Sequence, residues 1–282
     1  MITLKNSELN VEIAEVGAEI RRVTKDGIER MWSGDPGFWA NVAPMLFPIC
    51  SGLPGDRYTY NGKTYPLTKH GFTRHAVFAV ESCTETSATF LLKESEETLK
   101  MYPWKFELRV IYTLEENRIK VQYKVKNCTD ETMYYSIGSH EAYNCPEGIE
   151  AYDIVFEKAE PFAKWTLEGP VLSGKTQPIP VEGNVLSLDE KYFQEDALIF
   201  KNHQSRKASV VHRESGRETL VEFPECPYLL LWHPVGAPFI CIEPWEGICS
   251  TLGDSGDITE KEGIMPLAPD AERLHTHTIE YK

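Results

Sequence analysis

Apolar and polar positions alternate through most of this chain, and the alternation predicts strands. Residues 9–14 alternate, Gly17 breaks the pattern and residues 18–23 resume it, which reads as strand, turn, strand. Residues 76–80, 88–92, 104–114 and 118–127 follow with the same period, with turns at 115–117 and 127–130. Between Tyr58 and Tyr65 the pair Asn61-Gly62 supplies a two-residue hairpin turn. Residues 43–50 form an apolar run cut by Pro44 and Pro48, hence an edge or irregular extended segment. Only residues 93–100 look helical, with a short helical turn at 188–193.

From about 145 to 195 glycines and prolines punctuate the pattern, but Phe156, Phe162 and Trp165 recur, so this stretch reads as long loops and short strands rather than a linker. Further strands are expected at 196–200, 208–212, 219–223 and 228–232. At the C-terminus, residues 272–281 alternate cleanly. His275 and His277 share one face there, either towards solvent or as a chelating pair. The expected fold is all-β, a large sandwich with very little helix, spanning residues 1–282 as one domain.

Composition narrows the function. The net charge of −14, with no basic run, argues against a nucleic-acid partner. No apolar run is long enough to span a bilayer, and the N-terminal residues carry no secretory pattern. Seven scattered cysteines, with no C-x-x-C pair, fit reduced thiols in a cytoplasmic protein.

The chemistry concentrates in Pro238 to Gly247. An apolar strand there is expected to end at Glu243, beside Pro244 and Trp245. A tryptophan face next to a carboxylate suits a sugar, packing on C–H groups while the acid handles hydroxyls. A surface glutamate at a strand end is the plainer account. His70, before Gly71, and His140, after Gly138, likewise follow strands, each open to a core role or a ligand-facing one. Asp196 is either a strand-start residue or a further polar contact. Were His70, His140 and Glu243 to meet, a carboxylate and a histidine would suit a hemiacetal. The carboxylate removes the anomeric proton and the histidine protonates the ring oxygen. The ring opens, the C1–C2 bond turns, and closure gives the other anomer, with no metal or cofactor needed.

Five motifs resemble those of the aldose 1-epimerases, the galactose mutarotase-like proteins. They are Trp39 to Pro48, Tyr58 to Tyr65, His70-Gly-Phe-Thr-Arg74, Gly138-Ser-His-Glu-Ala-Tyr-Asn144 and Glu243-Pro-Trp-Glu-Gly247, in order and along about the full chain. The resemblance implies a β-supersandwich and a cofactor-independent isomerase acting on a hexose. It implies His140 as general acid, Glu243 as general base, and His70, Arg74 and Asp196 on the sugar, which joins Trp245. Gly52 stands where relatives that handle sugar phosphates carry arginine, which favours a neutral aldose over a hexose 6-phosphate. Ser139 and Glu141 replace the more usual Gly and Pro, and Glu141 is placed to raise the pKa of His140 if close. Three rival readings remain: a non-catalytic carbohydrate-binding protein, a metal enzyme using His70, His140, His233 and Glu243, and a hydrolase pairing Glu243 with Asp196 or Glu246.

Overall fold

In the hairpin of Phe106–Glu115 and Arg118–Asn127 every second side chain is buried. The two strands pair antiparallel along their whole length, from Phe106 opposite Asn127 to Glu115 opposite Arg118. A computed structural model, describing residues 1–282, places this hairpin within a nine-stranded sheet, flanked by Glu272–Tyr281 and Ser87–Lys93. An eight-stranded sheet is built around Phe239–Glu246, with Tyr228–Trp232 on one edge and Ile137–Ser139 and Glu141–Asn144 on the other. Smaller sheets add the N-terminal strands and the hairpin Arg57–Tyr60/Lys63–Pro66. Helix is confined to Glu96–Met101, capped by Ser95, and four short 3-10 turns. The all-β sandwich is therefore observed. No helix is long and apolar enough to cross a membrane.

The central strand departs from the expected one. It does not end at Glu243 but continues through Pro244 and Trp245 to Glu246, and all eight residues are buried. Two covered faces explain this. Ile240 and Ile242 enter the main core between the sheets, while Phe239, Cys241 and Trp245 pack into smaller apolar clusters on the opposite face. An alternating strand normally exposes one face to water; here the outer face is covered as well, because it floors a cleft.

The C-terminal histidines also differ from expectation. Neither faces solvent: His275 and His277 are buried and point between the sheets. His275 Nδ1 lies 2.6 Å from Glu246 Oε1, and its Nε2 lies 2.7 Å from Tyr135 Oη. His277 Nε2 lies 2.9 Å from Glu141 Oε1. Each pair joins the long C-terminal strand of one sheet to the central region of the other.

Candidate active site

Register alone brings the first two groups together. Glu141 faces Ile242 and Gly138 faces Trp245 across the ladder, so His140 stands opposite Glu243. Directly opposed residues on one face of a sheet have neighbouring Cβ atoms. Accordingly His140 Nε2 lies 3.3 Å from Glu243 Oε2. The approach is close but not aligned as a hydrogen bond: Glu243 Oε2 and His140 Nδ1 have no partner.

His70 arrives by a different route. Its backbone and that of Gly71 are both left-handed, at φ of 68° and 70°. A Cβ on Gly71 would sit 2.2 Å from the Phe47 carbonyl oxygen, so only glycine fits there. Ser51 and His70 then clamp each other, since the His70 N–H donates to the Ser51 carbonyl and the Ser51 N–H donates to His70 Nδ1 at 3.1 Å. An accepting Nδ1 leaves the proton of the neutral ring on Nε2. The His70 ring stands edge-on to His140, centroids 5.7 Å apart, and to Trp245 at 5.6 Å.

Trp245 Nε1 donates to the Ser139 carbonyl at 3.0 Å. Gly138 permits that close packing, because a Cβ there would meet Trp245 Cδ1 at 2.6 Å. Trp39 lies tilted against His140 with centroids 4.8 Å apart, and Trp232 meets the same ring edge-on at 5.5 Å. The Trp39 loop is itself fixed by Trp32, whose indole N–H donates to the Trp39 carbonyl.

These groups line a cleft of about 750 Å³, counting space open to solvent. His70, Arg74, His140, Asp196, Glu243 and Trp245 all meet there, as the sequence suggested. Sequence reasoning did not single out Trp39, Trp232, Lys69 and Ser51 as lining residues. For Trp232 the available signal was its position two residues beyond Leu230, on the same face of a strand paired with that of Glu243. Other expectations fail. His233 takes no part, because its Nδ1 is tied to the Phe239 carbonyl and its Nε2 faces Glu190. Glu246 lies on the opposite face of its strand, paired with His275, which removes it as a carboxylate partner for Glu243. Glu141 does not raise the pKa of His140, because neighbouring strand residues point to opposite faces and its carboxylate is held by His277.

Burial, rather than a neighbouring charge, dominates the electrostatics. It pushes His140 down to about 3 and His70 well below the usual histidine range, with Lys69 adding to both. It holds Glu243 well above the usual carboxylate range, and Lys69 offsets part of that rise. Both members of the facing pair are therefore driven towards their neutral forms. A neighbouring cavity of about 430 Å³ beside Arg57 and Lys261 contains carboxylates but no histidine.

A carboxyl and an imidazole thus face each other on the floor of an aromatic cleft carried by a two-sheet sandwich, and comparison with known proteins places that sandwich in a family. Residues 1–271 match the family described as aldose 1-epimerase. The chain is 35% identical to the plasmid-encoded protein LacX of Lactococcus lactis subsp. lactis, over 95% of each chain. Two solved structures superpose on it with TM-scores of 0.95. One is a galactose mutarotase related enzyme from Lactobacillus acidophilus, 34% identical and matched over 100% of this chain and 97% of the other. The second is a galactose mutarotase-like protein from Lactobacillus casei, 31% identical, with both chains fully covered. The chain belongs to the aldose 1-epimerase family. It is an isomerase that interconverts the α and β anomers of hexose sugars.

Proposed function

We propose that His140 and Glu243 carry the anomer exchange, as general acid and general base. The observation supporting this is the 3.3 Å approach of His140 Nε2 to Glu243 Oε2 with no other partner on that oxygen. One proton shared by the pair suffices. With a sugar in place, its anomeric hydroxyl donates to the carboxylate and its ring oxygen accepts from the imidazolium. Opening the ring moves one proton from O1 to Glu243 and one from His140 to O5. The enzyme is then left with a protonated carboxyl and a neutral imidazole, the forms that burial favours. Closure on the other face of C1 returns both protons.

Around this pair we assign His70 Nε2–H and the half-buried Arg74 as donors to sugar oxygens, Asp196 as an acceptor, and Trp245 as an apolar platform. Lys69 and Arg74 also line the cleft, so the choice between a neutral hexose and its 6-phosphate rests on the missing cation at Gly52. Nothing blocks a side chain there, since a Cβ would lie 3.8 Å from Pro170. A neutral hexose is the substrate we favour. A reducing, cytoplasmic setting is supported by seven free cysteines. A single catalytic unit over residues 1–282 is supported by one buried cluster that draws on residues from Leu4 to Tyr281.

The test is anomer exchange followed by NMR on glucose, galactose and their 6-phosphates, with wild type and Glu243→Gln. Acceleration on the free sugars, lost in the variant, is expected. Acceleration on the phosphates alone would overturn the neutral substrate, and equal rates in the variant would overturn the base.

A further inference from the structure

The outer face of the central strand carries one more chemically active group that anomer exchange does not use. Cys241 lies two residues before Glu243 and so shares its face. A ligating atom of Cys241, of His140 and of Glu243 all lie within 4.8 Å of one another. The three residues are 0%, 9% and 1% exposed. Glu243 Oε2 is without a hydrogen-bond partner, so no competing bond has to break for it to bind something else.

We infer that Cys241, His140 and Glu243 form a binding site for a thiophilic divalent cation such as zinc, and that occupying it blocks anomer exchange. The inhibitory half rests on the assignment of His140 and Glu243 as acid and base; the binding half stands on geometry.

Thiolate, imidazole and carboxylate are the donors zinc takes, whereas magnesium and calcium require oxygen. A tetrahedral zinc with its usual bond lengths sets neighbouring donors roughly 3.3–3.6 Å apart. His140 Nε2 and Glu243 Oε2 already stand 3.3 Å apart. The cysteine sulfur has to close by at most about 1.3 Å to complete the set. His140 and Glu243 line the cleft and Cys241 lies beneath it, so the fourth position opens towards the cleft, where water would sit. Charge balance also suits a buried site: one dication meets one thiolate and one carboxylate, for a net charge of zero. On binding, the thiol proton of Cys241 and the proton shared by His140 and Glu243 pass to solvent, and nothing is oxidised or reduced. The bound cation holds both proton-transfer groups and fills the floor of the sugar site.

Chelator-stripped enzyme would be titrated with cobalt(II) and cadmium(II), following the thiolate-to-metal charge-transfer band. Zinc would then be tested for displacement of cobalt and for inhibition of anomer exchange. One equivalent of cobalt should produce the band, and Cys241→Ser should abolish it. The same substitution should weaken zinc inhibition at least about 10-fold, relative to the variant's own uninhibited rate. Cys241→Ala provides a second variant, and circular dichroism checks that each folds. A band that persists in both variants would place the metal on one of the other six cysteines and overturn the site. An active wild type that gives the band yet ignores zinc would overturn the inhibition. A band lost in the variants of a wild type that exchanges no anomers would uphold the metal site and overturn the acid–base assignment instead.

Discussion

At Glu243 a carboxyl lies buried with one oxygen unpartnered, an arrangement that costs roughly 1–3 kcal/mol and adds nothing to the sandwich. That cost makes sense if the oxygen is kept free for a substrate proton. Glu243→Gln should therefore lower kcat by roughly 10²–10⁴-fold while sugar binding is largely kept, and His140→Asn should do the same. The double variant should be little worse than either single one, because the two groups act as a unit. Calorimetric binding beside progress curves would check both, and lost binding would point to a site merely disrupted. The opposed pKa shifts predict the pH profile. Exchange needs one proton on the pair: with two there is no base, and with none there is no acid. His140 is pushed down to about 3 and Glu243 is raised, so the range of the one-proton form is widened in both directions. The acid limb of kcat/KM should fall well below pH 6, and the alkaline limb should lie well above an ordinary carboxylate pKa. An acid limb centred near 6.5, an ordinary histidine value, would contradict the assignment.

At the scale of elements, the site depends on where backbone is allowed to come close. Ile137–Ser139 and Glu141–Asn144 pair with one edge of Phe239–Glu246, and the interruption between them is His140 itself. Gly138 lets Trp245 pack against that interruption, and Gly71 lets the His70 loop touch the carbonyl of Phe47. Gly138→Ala should displace the Trp245 ring and raise KM several-fold with the protein still folded, measurable by indole fluorescence alongside kinetics. Gly71→Ala meets backbone in a left-handed conformation and should cost stability as well as activity. Both motifs were legible as glycines beside a histidine, but what each glycine makes room for was not. The strand containing Glu243 was legible too, while its end was misplaced. Pro244 and Gly247 read locally as a stop, yet pairing on both edges carries the strand to Glu246.

Across the whole molecule, two buried carboxylate–histidine pairs join the sheets behind the cleft: Glu141 with His277, and Glu246 with His275. Breaking a buried pair from one side strands the other charge, so His277→Ala should destabilise by about 3–5 kcal/mol. In a chain of this size that lowers Tm by roughly 10 °C, readable by circular dichroism. Replacing both partners with apolar residues should recover much of the loss, and a single variant with unchanged Tm would show that the pair contributes little. Glu141 thus answers a question its neighbour raised. It sits beside His140 in sequence and on the opposite face in space, so it acts on how the sheets hold together.

The amino-acid sequence by itself determined the all-β class and most of the strands, because alternation and turn chemistry are local properties, and its motifs pointed to six of the side chains that line the cleft. It carried the family through motifs whose order survives over the whole length. Only the tertiary structure decided that His140 stands opposite Glu243, that their pKa values move apart by burial, and that Cys241 shares their face. It also decided that the C-terminal histidines look inward. These depend on register between distant strands and on which face each sheet turns to the other, and a period of two fixes alternation without saying which side is covered.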